Sequence, residues 1–237
     1  MNTVLFSLRS LRQLALPLLL LPAVAIAADE AGTAPVPAPV PAPAPIPLLG
    51  GAPYWSVQAG LNRLSHWPAT VSSHGASVDA DLGLGRGAQA GLAWGRQFHH
   101  ARYEVEFQHG RIDIERARLG SVSQNVSASG HYDALTANAL HQAAVSPALS
   151  LYAGAGVGVA RTRLPHISLP SGCACVPAAD KRGLAWQLKG GAELRISAHG
   201  NVFVQAGRLS LPGPASATIT YPRRAFTVVG IGYRHVF

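Results

Sequence analysis

The sequence predicts an all-β fold, an eight-stranded antiparallel transmembrane β-barrel that follows a cleaved signal peptide and a proline-rich disordered spacer. Three observations support this prediction. Segments of alternating polarity recur from Tyr54 to the end of the chain, as expected for strands with one apolar face. The gaps between these segments are alternately long and short. The final segment is a largely apolar strand that ends on Phe237.

Residues 1–28 have the pattern of a secretory signal peptide. Arg9 and Arg12 precede a short apolar run at residues 14–26, and Ala25 and Ala27 supply a cleavage site. Removal of this segment lowers Lys plus Arg from 19 to 17 against 11 Asp plus Glu, which leaves a net charge of +6. An exported basic chain meets phosphorylated lipids and glycans first, so we predict no nucleic-acid partner.

Residues 29–53 form the predicted spacer. Every second residue from Pro35 to Pro47 is proline, and this removes the backbone donors that helices and sheets need. Such a run favours an extended polyproline II rod of about 3.1 Å per residue. We therefore place a domain boundary at Tyr54 and assign residues 54–237 to the barrel.

Eight segments of alternating polarity follow the spacer. They cover residues 54–62, 89–97, 102–108, 131–143, 149–159, 184–196, 202–209 and 224–237. The larger apolar side chains share one face, as Tyr103, Val105 and Phe107 do, and the other face holds polar and charged side chains. A water-soluble barrel, the rival fold, needs the opposite arrangement, with its apolar face inside. The pattern therefore indicates a barrel that faces lipid.

The gaps between the segments are an independent indication of the fold. Long gaps at residues 63–88, 112–130, 163–182 and 212–222 alternate with gaps of a few residues. Membrane barrels alternate in this way, because one end carries the large loops and the other end carries tight turns. We expect the surface interactions in the four long gaps, several of which are too irregular in sequence for their conformations to be predicted.

The last segment carries a sorting pattern. Val229, Ile231, Tyr233 and Phe237 share one face of the strand, with His235 as the polar exception. Together with the glycine-rich segment 151–160 and the strand at 185–187, this ending resembles the small outer-membrane barrels of the OmpA, OmpX and opacity-protein group. The resemblance covers residues 54–237. It implies the outer membrane of a Gram-negative bacterium, both termini in the periplasm, and a terminal signal read by the barrel-assembly machinery. It also implies contact with outer-membrane lipids and lipopolysaccharide.

Seven charged residues are expected to point into the lumen. They are Arg102, Glu104, Glu106, Lys189, Glu193, Arg195 and Arg234. Eight strands leave room for little beyond side chains, and an isolated buried ion is very costly. We interpret this set as an ion-paired network that fills the barrel; the alternative is a narrow conducting path.

Two cysteines, Cys173 and Cys175, lie in the third long gap. In an oxidising compartment they are candidates for a small strained disulfide that staples the loop. A soft-metal site with His166 and a redox-active pair are the alternatives, and the metal site lacks a full set of ligands. We therefore predict no metal and no other cofactor.

Basic residues gather at the predicted outer rim. Beside the third and fourth long gaps they are Arg161, Arg163, Lys181, Arg182, Arg223 and Arg224, with His166 in the third gap and Arg63 and Arg86 at the first. Arginine forks suit phosphate and sulfate groups, so these residues are candidates for contact with lipopolysaccharide or host surface glycans. The alternative is a rim that neutralises the phosphates of its own leaflet.

Catalysis is the main rival to a binding role, because some small outer-membrane barrels modify lipid A. Ser129, His131 and Asp133 are near one another in the sequence, but they do not form the His-x-Ser motif of the deacylases, and a motif needs its structural context. We therefore predict a non-enzymatic protein that displays four outer loops for adhesion-like interactions with host glycans or proteins. The alternatives are a lipid A-modifying enzyme and a narrow pore.

The terminal signal is tested by removing Phe237. We expect the full-length protein to shift in gel mobility between unheated and boiled outer-membrane samples, because folded barrels resist detergent. Deletion of Phe237 should reduce the shifted fraction. A protein without any shift that is soluble in the periplasm would instead be a soluble ligand-binding barrel.

Overall fold

The computed structural model describes residues 51–73, 76–168 and 176–237, and these residues form eleven β-strands. The proposed signal peptide, most of the spacer, and both cysteines lie outside the described residues. The strands are β1 (Ala52–Arg63), β2 (His66–Ser73), β3 (Ala76–Leu84), β4 (Arg86–Gln97), β5 (Ala101–Leu119), β6 (Val122–Ala144), β7 (Leu149–Leu164), β8 (Ala179–Arg195), β9 (Gly200–Leu211), β10 (Ile219–Thr220) and β11 (Arg224–Val236).

Eight of these strands close into a ring. The order around the ring is β1, β4, β5, β6, β7, β8, β9 and β11, and β11 pairs with β1 to complete it. All eight pairings are antiparallel. The predicted all-β barrel of eight antiparallel strands is therefore confirmed. In such a ring every strand has two neighbours, so no edge is left unpaired.

The register of the ring sets the tilt of the strands. A row of paired residues that starts at Arg86 on β4 passes through each strand in turn and returns to β4 at Arg96, ten residues further along. A shear of ten in an eight-stranded barrel corresponds to a strand tilt of about 40°. The row therefore slopes across the barrel wall instead of running level.

The outer wall of the ring is an apolar belt. Leu184 is 72% exposed, Val157 69% and Ile231 61%, and the strands alternate between such outward residues and buried inward residues. A continuous apolar surface of this kind is unfavourable in water and fits the hydrocarbon layer of a bilayer. Among the residues that the structure describes, no helix is long and apolar enough to cross a bilayer.

One end of the ring carries a cap, and the other end carries the short turns; we call them the cap end and the turn end. In the cap, β2 and β3 form a hairpin, β3 pairs with the far part of β5, and β10 pairs with β2. The second long gap is also a hairpin, in which β5 and β6 continue to a turn at Gly120 with φ of 57°. The sequence left the conformations of the long gaps open, and in these two gaps the strands continue beyond the belt.

The interior changes character along the barrel axis. Toward the turn end it is polar, whereas at the cap end it is a single apolar cluster. The buried members from the cap strands and from the far part of β5 are Trp67, Ala69, Ala80, Leu82, Leu84, Ile112, Ile114, Ala117, Ile219 and Tyr221. The cap therefore has its own core, which packs on the inward residues of the ring.

Trp67 lies in the middle of the cap core. Its side chain is fully buried, and its indole N–H donates to the Pro222 carbonyl at 2.8 Å. The indole ring also meets the rings of Tyr221 and Phe226 edge-on, at centroid distances of 5.7 Å and 5.6 Å. Burial raises the pKa of the Tyr221 hydroxyl, so this residue stays neutral in the core.

Trp67→Ala should loosen the cap without opening the ring. Loss of the buried indole is expected to cost about 3–5 kcal/mol of local stability, so trypsin should cleave the cap after Arg118 faster. The heat-dependent gel shift should remain, since Trp67 is outside the ring. Trp94→Ala is the control, because Trp94 is 60% exposed on the belt. Unchanged cleavage in the Trp67 variant would contradict this role.

Candidate functional site

The polar part of the lumen contains a layer of ion pairs between β5, β8 and β11. Arg102 donates to Glu193 at 2.8 Å, and Arg234 donates to the other oxygen of the same carboxylate. Lys189 donates to Glu106 at 2.8 Å and also to Glu104. The layer holds three cations and three carboxylates, so it is neutral overall. Six of the seven predicted lumen residues are thus brought together.

Arg195 is the exception among the predicted lumen residues. It lies at the turn end of β8, where its side chain is exposed. Within the described ranges it forms no salt bridge. Its strand phase points it inward, but the barrel wall ends there and water replaces the lumen. The sequence pattern shows which face of a strand a residue occupies but not how far along the barrel axis it lies. It therefore could not distinguish Arg195 from the lumen residues.

Neutral side chains complete the hydrogen bonds of the two β5 carboxylates. The Tyr54 hydroxyl donates to Glu104 at 2.6 Å, and the Gln187 amide donates to Glu106 at 2.6 Å. Asn138 donates to both carboxylates, at 3.0 Å and 2.8 Å. Buried charges need such partners, because desolvation otherwise outweighs their mutual attraction.

Aromatic rings pack beside the ion pairs. The Arg102 guanidinium lies 4.3 Å from the centroid of the Tyr152 ring, within the range of a cation–π contact. The Tyr54 ring lies over Gly95, where an added Cβ would be 2.8 Å from the ring. Glycine is therefore required beside the aromatic ring. These side chains line a cavity of about 20 Å³, which is about the room that one water needs.

The predicted polyanion residues are not all free to bind. Arg161 donates to Asp180 at 2.9 Å, and Arg163 lies 3.6 Å from Asp133. Arg223 donates to the Leu184 carbonyl at 2.6 Å. The remaining three are exposed: Lys181, Arg182 and Arg224. Arg161 and Arg163 are thus held by carboxylates and Arg223 by a backbone carbonyl, whereas Lys181, Arg182 and Arg224 form no salt bridge in the described residues.

Arg224 lines a cleft of about 880 Å³ on the outer face of the cap. His66, Asp79 and Asp81 lie on the β2–β3 side of the cleft, and Arg118 comes from β5. His66 and Asp81 are 3.2 Å apart. The cleft thus presents both signs of charge. The sequence analysis missed it, although the alternation at residues 66–72 indicates a strand with one polar face.

The three candidate catalytic residues do not form a relay. Asp133 pairs with His109 at 2.8 Å, and the rings of His109 and His131 stack at 5.7 Å. In the described part of the chain, no hydrogen bond joins Ser129 to either histidine. The same part of the chain holds no group of three or more potential ligands placed to bind a metal.

The residues of the proposed terminal signal share the outward face of β11, from Val229 near the cap end to Phe237 at the turn end. Val229 and Ile231 are exposed on the belt. Tyr233 lies 5.8 Å from Trp55, and Phe237 lies 5.8 Å from Trp94, measured between ring centroids. These rings form part of an aromatic girdle, which is typical of the level where hydrocarbon meets headgroups.

Removal of Glu193 should destabilise the barrel. Glu193→Ala leaves the guanidiniums of Arg102 and Arg234 buried without an acceptor, so we expect a loss of about 3–5 kcal/mol in the free energy of unfolding. Urea unfolding in lipid vesicles, followed by tryptophan fluorescence, measures the loss. Arg195→Ala is the matched control and should change stability by less than about 0.5 kcal/mol, because the side chain is exposed. Equal losses in both variants would contradict the network.

No protein-family model matches the chain, and no curated protein matches it. Among solved structures, Neisserial surface protein A is 14% identical, with a TM-score of 0.49 over 77% of this chain and 97% of that one. OprG from Pseudomonas aeruginosa is 14% identical, with a TM-score of 0.47 over 78% and 97%. The outer membrane protease OmpT from Escherichia coli is 7% identical, with a TM-score of 0.48 over 82% and 99%. By its closed ring of eight antiparallel strands, apolar outer belt and polar lumen, the chain has the fold of a transmembrane β-barrel.

Proposed function

We propose that the chain is a surface-interaction protein of adhesin-like type, in which a closed barrel holds a folded cap above the outer membrane. The observation that carries the proposal is the cleft of the cap, which stands on an apolar core and opens to solvent. A preformed binding surface lowers the ordering cost of association. The barrel below it serves as an anchor.

The proposed topology places the cap end outside the cell. Residues 1–28 are removed as a signal peptide, residues 29–53 form a spacer in the periplasm, and residues 54–237 form the barrel. Both ends of the ring lie at the turn end, since Tyr54 pairs with Val236, and barrels of this type keep their short turns in the periplasm. The barrel-assembly machinery reads the terminal strand through Val229, Ile231, Tyr233 and Phe237.

The cleft favours a partner with both signs of charge. Asp79 and Asp81 come from β3, Arg118 comes from β5 directly opposite Asp81, and Arg224 comes from the start of β11. Complementary charges of this kind steer association and fix orientation. The proposed partner is therefore a host surface protein. Lys181 and Arg182 form a separate exposed basic pair, and sulfated host glycans are its proposed ligands.

The proposed role is non-enzymatic and non-conducting. Ion pairs and aromatic rings fill the lumen and leave a cavity of about 20 Å³, which disfavours a narrow pore. The Asp133 pairing with His109 lacks a linked hydroxyl nucleophile in the described residues, which disfavours lipid A deacylation. Single-channel conductance in planar bilayers tests the pore, and turnover of labelled lipopolysaccharide tests the enzyme.

Epitope tags test the topology. A tag inserted after Gly120, in the β5–β6 turn of the cap, should bind antibody on intact cells. A tag inserted after His199, in the turn between β8 and β9, should bind only after the outer membrane is permeabilised. The reverse result would place the cap in the periplasm.

Charge reversal in the cleft tests adhesion. Bacteria that display Arg118→Glu with Arg224→Glu should adhere to host cells about tenfold less, because two favourable charge contacts become repulsive. Arg195→Glu is the control: it makes the same type of charge change at the turn end and should leave adhesion unchanged. Equal adhesion of all strains, at matched surface levels, would remove the cleft from the proposal.

A further inference from the structure

The cap-end rim of the belt carries outward-facing charges that fall into two sectors. In the sector from β5 to β8 most of these charges are paired within the protein, and Arg182 is an exposed exception. Arg111 bonds Asp113 at 2.6 Å, His109 bonds Asp133 at 2.8 Å, and Arg161 bonds Asp180 at 2.9 Å. Charge in this sector is therefore largely neutralised by its own carboxylates.

The opposite sector, from β9 through β11 and β1 to β4, contains three arginines in one row. Arg63 on β1 is directly opposite Arg86 on β4. On its other side Arg63 pairs with Thr227 on β11, and Thr227 in turn pairs with Arg208 on β9. All three arginines are exposed. None of them forms a salt bridge with a carboxylate in residues 51–73, 76–168 and 176–237.

Two like charges directly opposite each other on neighbouring strands destabilise a sheet unless an opposite charge lies between them. In the β5–β8 sector the protein supplies that charge, and in this sector it does not. The guanidinium forks of Arg63 and Arg86 therefore have donors for an external anion. Paired forks of this kind match the geometry of phosphate oxygens.

The position of the row identifies the source of the anion. Leu61 and Val229, the next outward residues toward the turn end, are 47% and 46% exposed on the apolar belt. Because the row slopes, Arg208 lies roughly 9 Å closer to the bilayer centre than Arg86. Its guanidinium donates to the hydroxyl of Thr227, the next residue of the row, at 3.3 Å. A ligand here contacts arginines at two depths while its apolar part lies on the belt.

We propose that the β9–β11–β1–β4 sector binds the phosphorylated headgroup of a membrane lipid in the leaflet at the cap end. Arg63 and Arg86 hold a phosphate between them, and Arg208 contacts the headgroup from below. The apolar belt under the row accommodates the acyl chains. This site is separate from the cleft and from the basic residues at Arg161, Arg163, Lys181 and Arg182. Lipid binding at this site does not depend on the proposed adhesion function.

The test uses the full mature chain, folded in detergent micelles and titrated with three lipids that share the same acyl chains. The probes are bisphosphorylated lipid A, its monophosphorylated form and its dephosphorylated form, and native mass spectrometry measures the dissociation constants. We expect affinity to fall with each phosphate removed. Arg63→Gln with Arg86→Gln should weaken binding of the bisphosphorylated lipid about tenfold or more, because charge-assisted bonds are lost.

The matched control is Arg161→Gln with Arg163→Gln, which removes the same charge from the paired sector and should weaken binding less than about twofold. Arg63→Lys with Arg86→Lys keeps the charge but removes the forks and should give an intermediate loss. The heat-dependent gel shift verifies that each variant is folded. Equal losses in the two Gln variants, or affinity that ignores the phosphates, would overturn the proposal. Displacement of the lipid by millimolar inorganic phosphate would reassign the site to a free anion.

Discussion

The hydrogen-bonded closure of the ring is the constraint on which the rest of the molecule depends. Hydrocarbon offers no partner for a backbone N–H or C=O group, so a sheet that crosses a bilayer must have no edge. The pairing of β11 with β1 removes that edge. Closure also forces alternate side chains to opposite sides of the wall, because successive residues of a strand point in opposite directions. The apolar belt and the polar lumen are two consequences of one arrangement.

Closure with eight strands makes the interior narrow, and this explains the ion-pair layer. Charged groups that point inward cannot keep their hydration, so each must meet an opposite charge or a hydrogen-bond partner. Lys189 reaches two carboxylates, and Glu193 reaches two guanidiniums. These shared partners connect β5, β8 and β11 across the lumen. The same crowding explains why an aromatic ring such as Tyr54 faces a glycine on the next strand.

The cap shows what happens to this wall where the surrounding solvent changes. Along the belt the outer face is apolar and the inner face is polar. Beyond Arg111 on β5 the pattern inverts, because Ile112 and Ile114 are buried inside while Arg116 and Arg118 are exposed. Water outside the wall favours polar residues there, and the interior becomes an ordinary apolar core. The cap thus has the polarity pattern of a water-soluble β-structure, and it continues directly from strands with the pattern of a membrane barrel.

The sequence by itself determined the class of fold, the number of strands in the ring and the outward face of most strands, but it left the phase of residues 131–143 and 202–209 open. It could do so because strand alternation is local: residues two positions apart share a face whatever the rest of the chain does. This is also why Arg102, Glu104, Glu106, Lys189, Glu193 and Arg234 could be assigned to the lumen.

The tertiary structure alone decided which of these residues meet and at what height. Glu104 and Lys189 are 85 positions apart, and only the order and shear of the strands bring them together. The same holds for the pairing of His109 with Asp133 and of Arg161 with Asp180, and for the exposure of Arg195 at the end of the wall. The cap was missed for a related reason, since β10 has only two residues and both β2 and β10 pair and pack with strands that are distant in sequence. The local polarity pattern therefore identifies the strands and their outward faces, whereas the pairing register between strands determines which side chains come together.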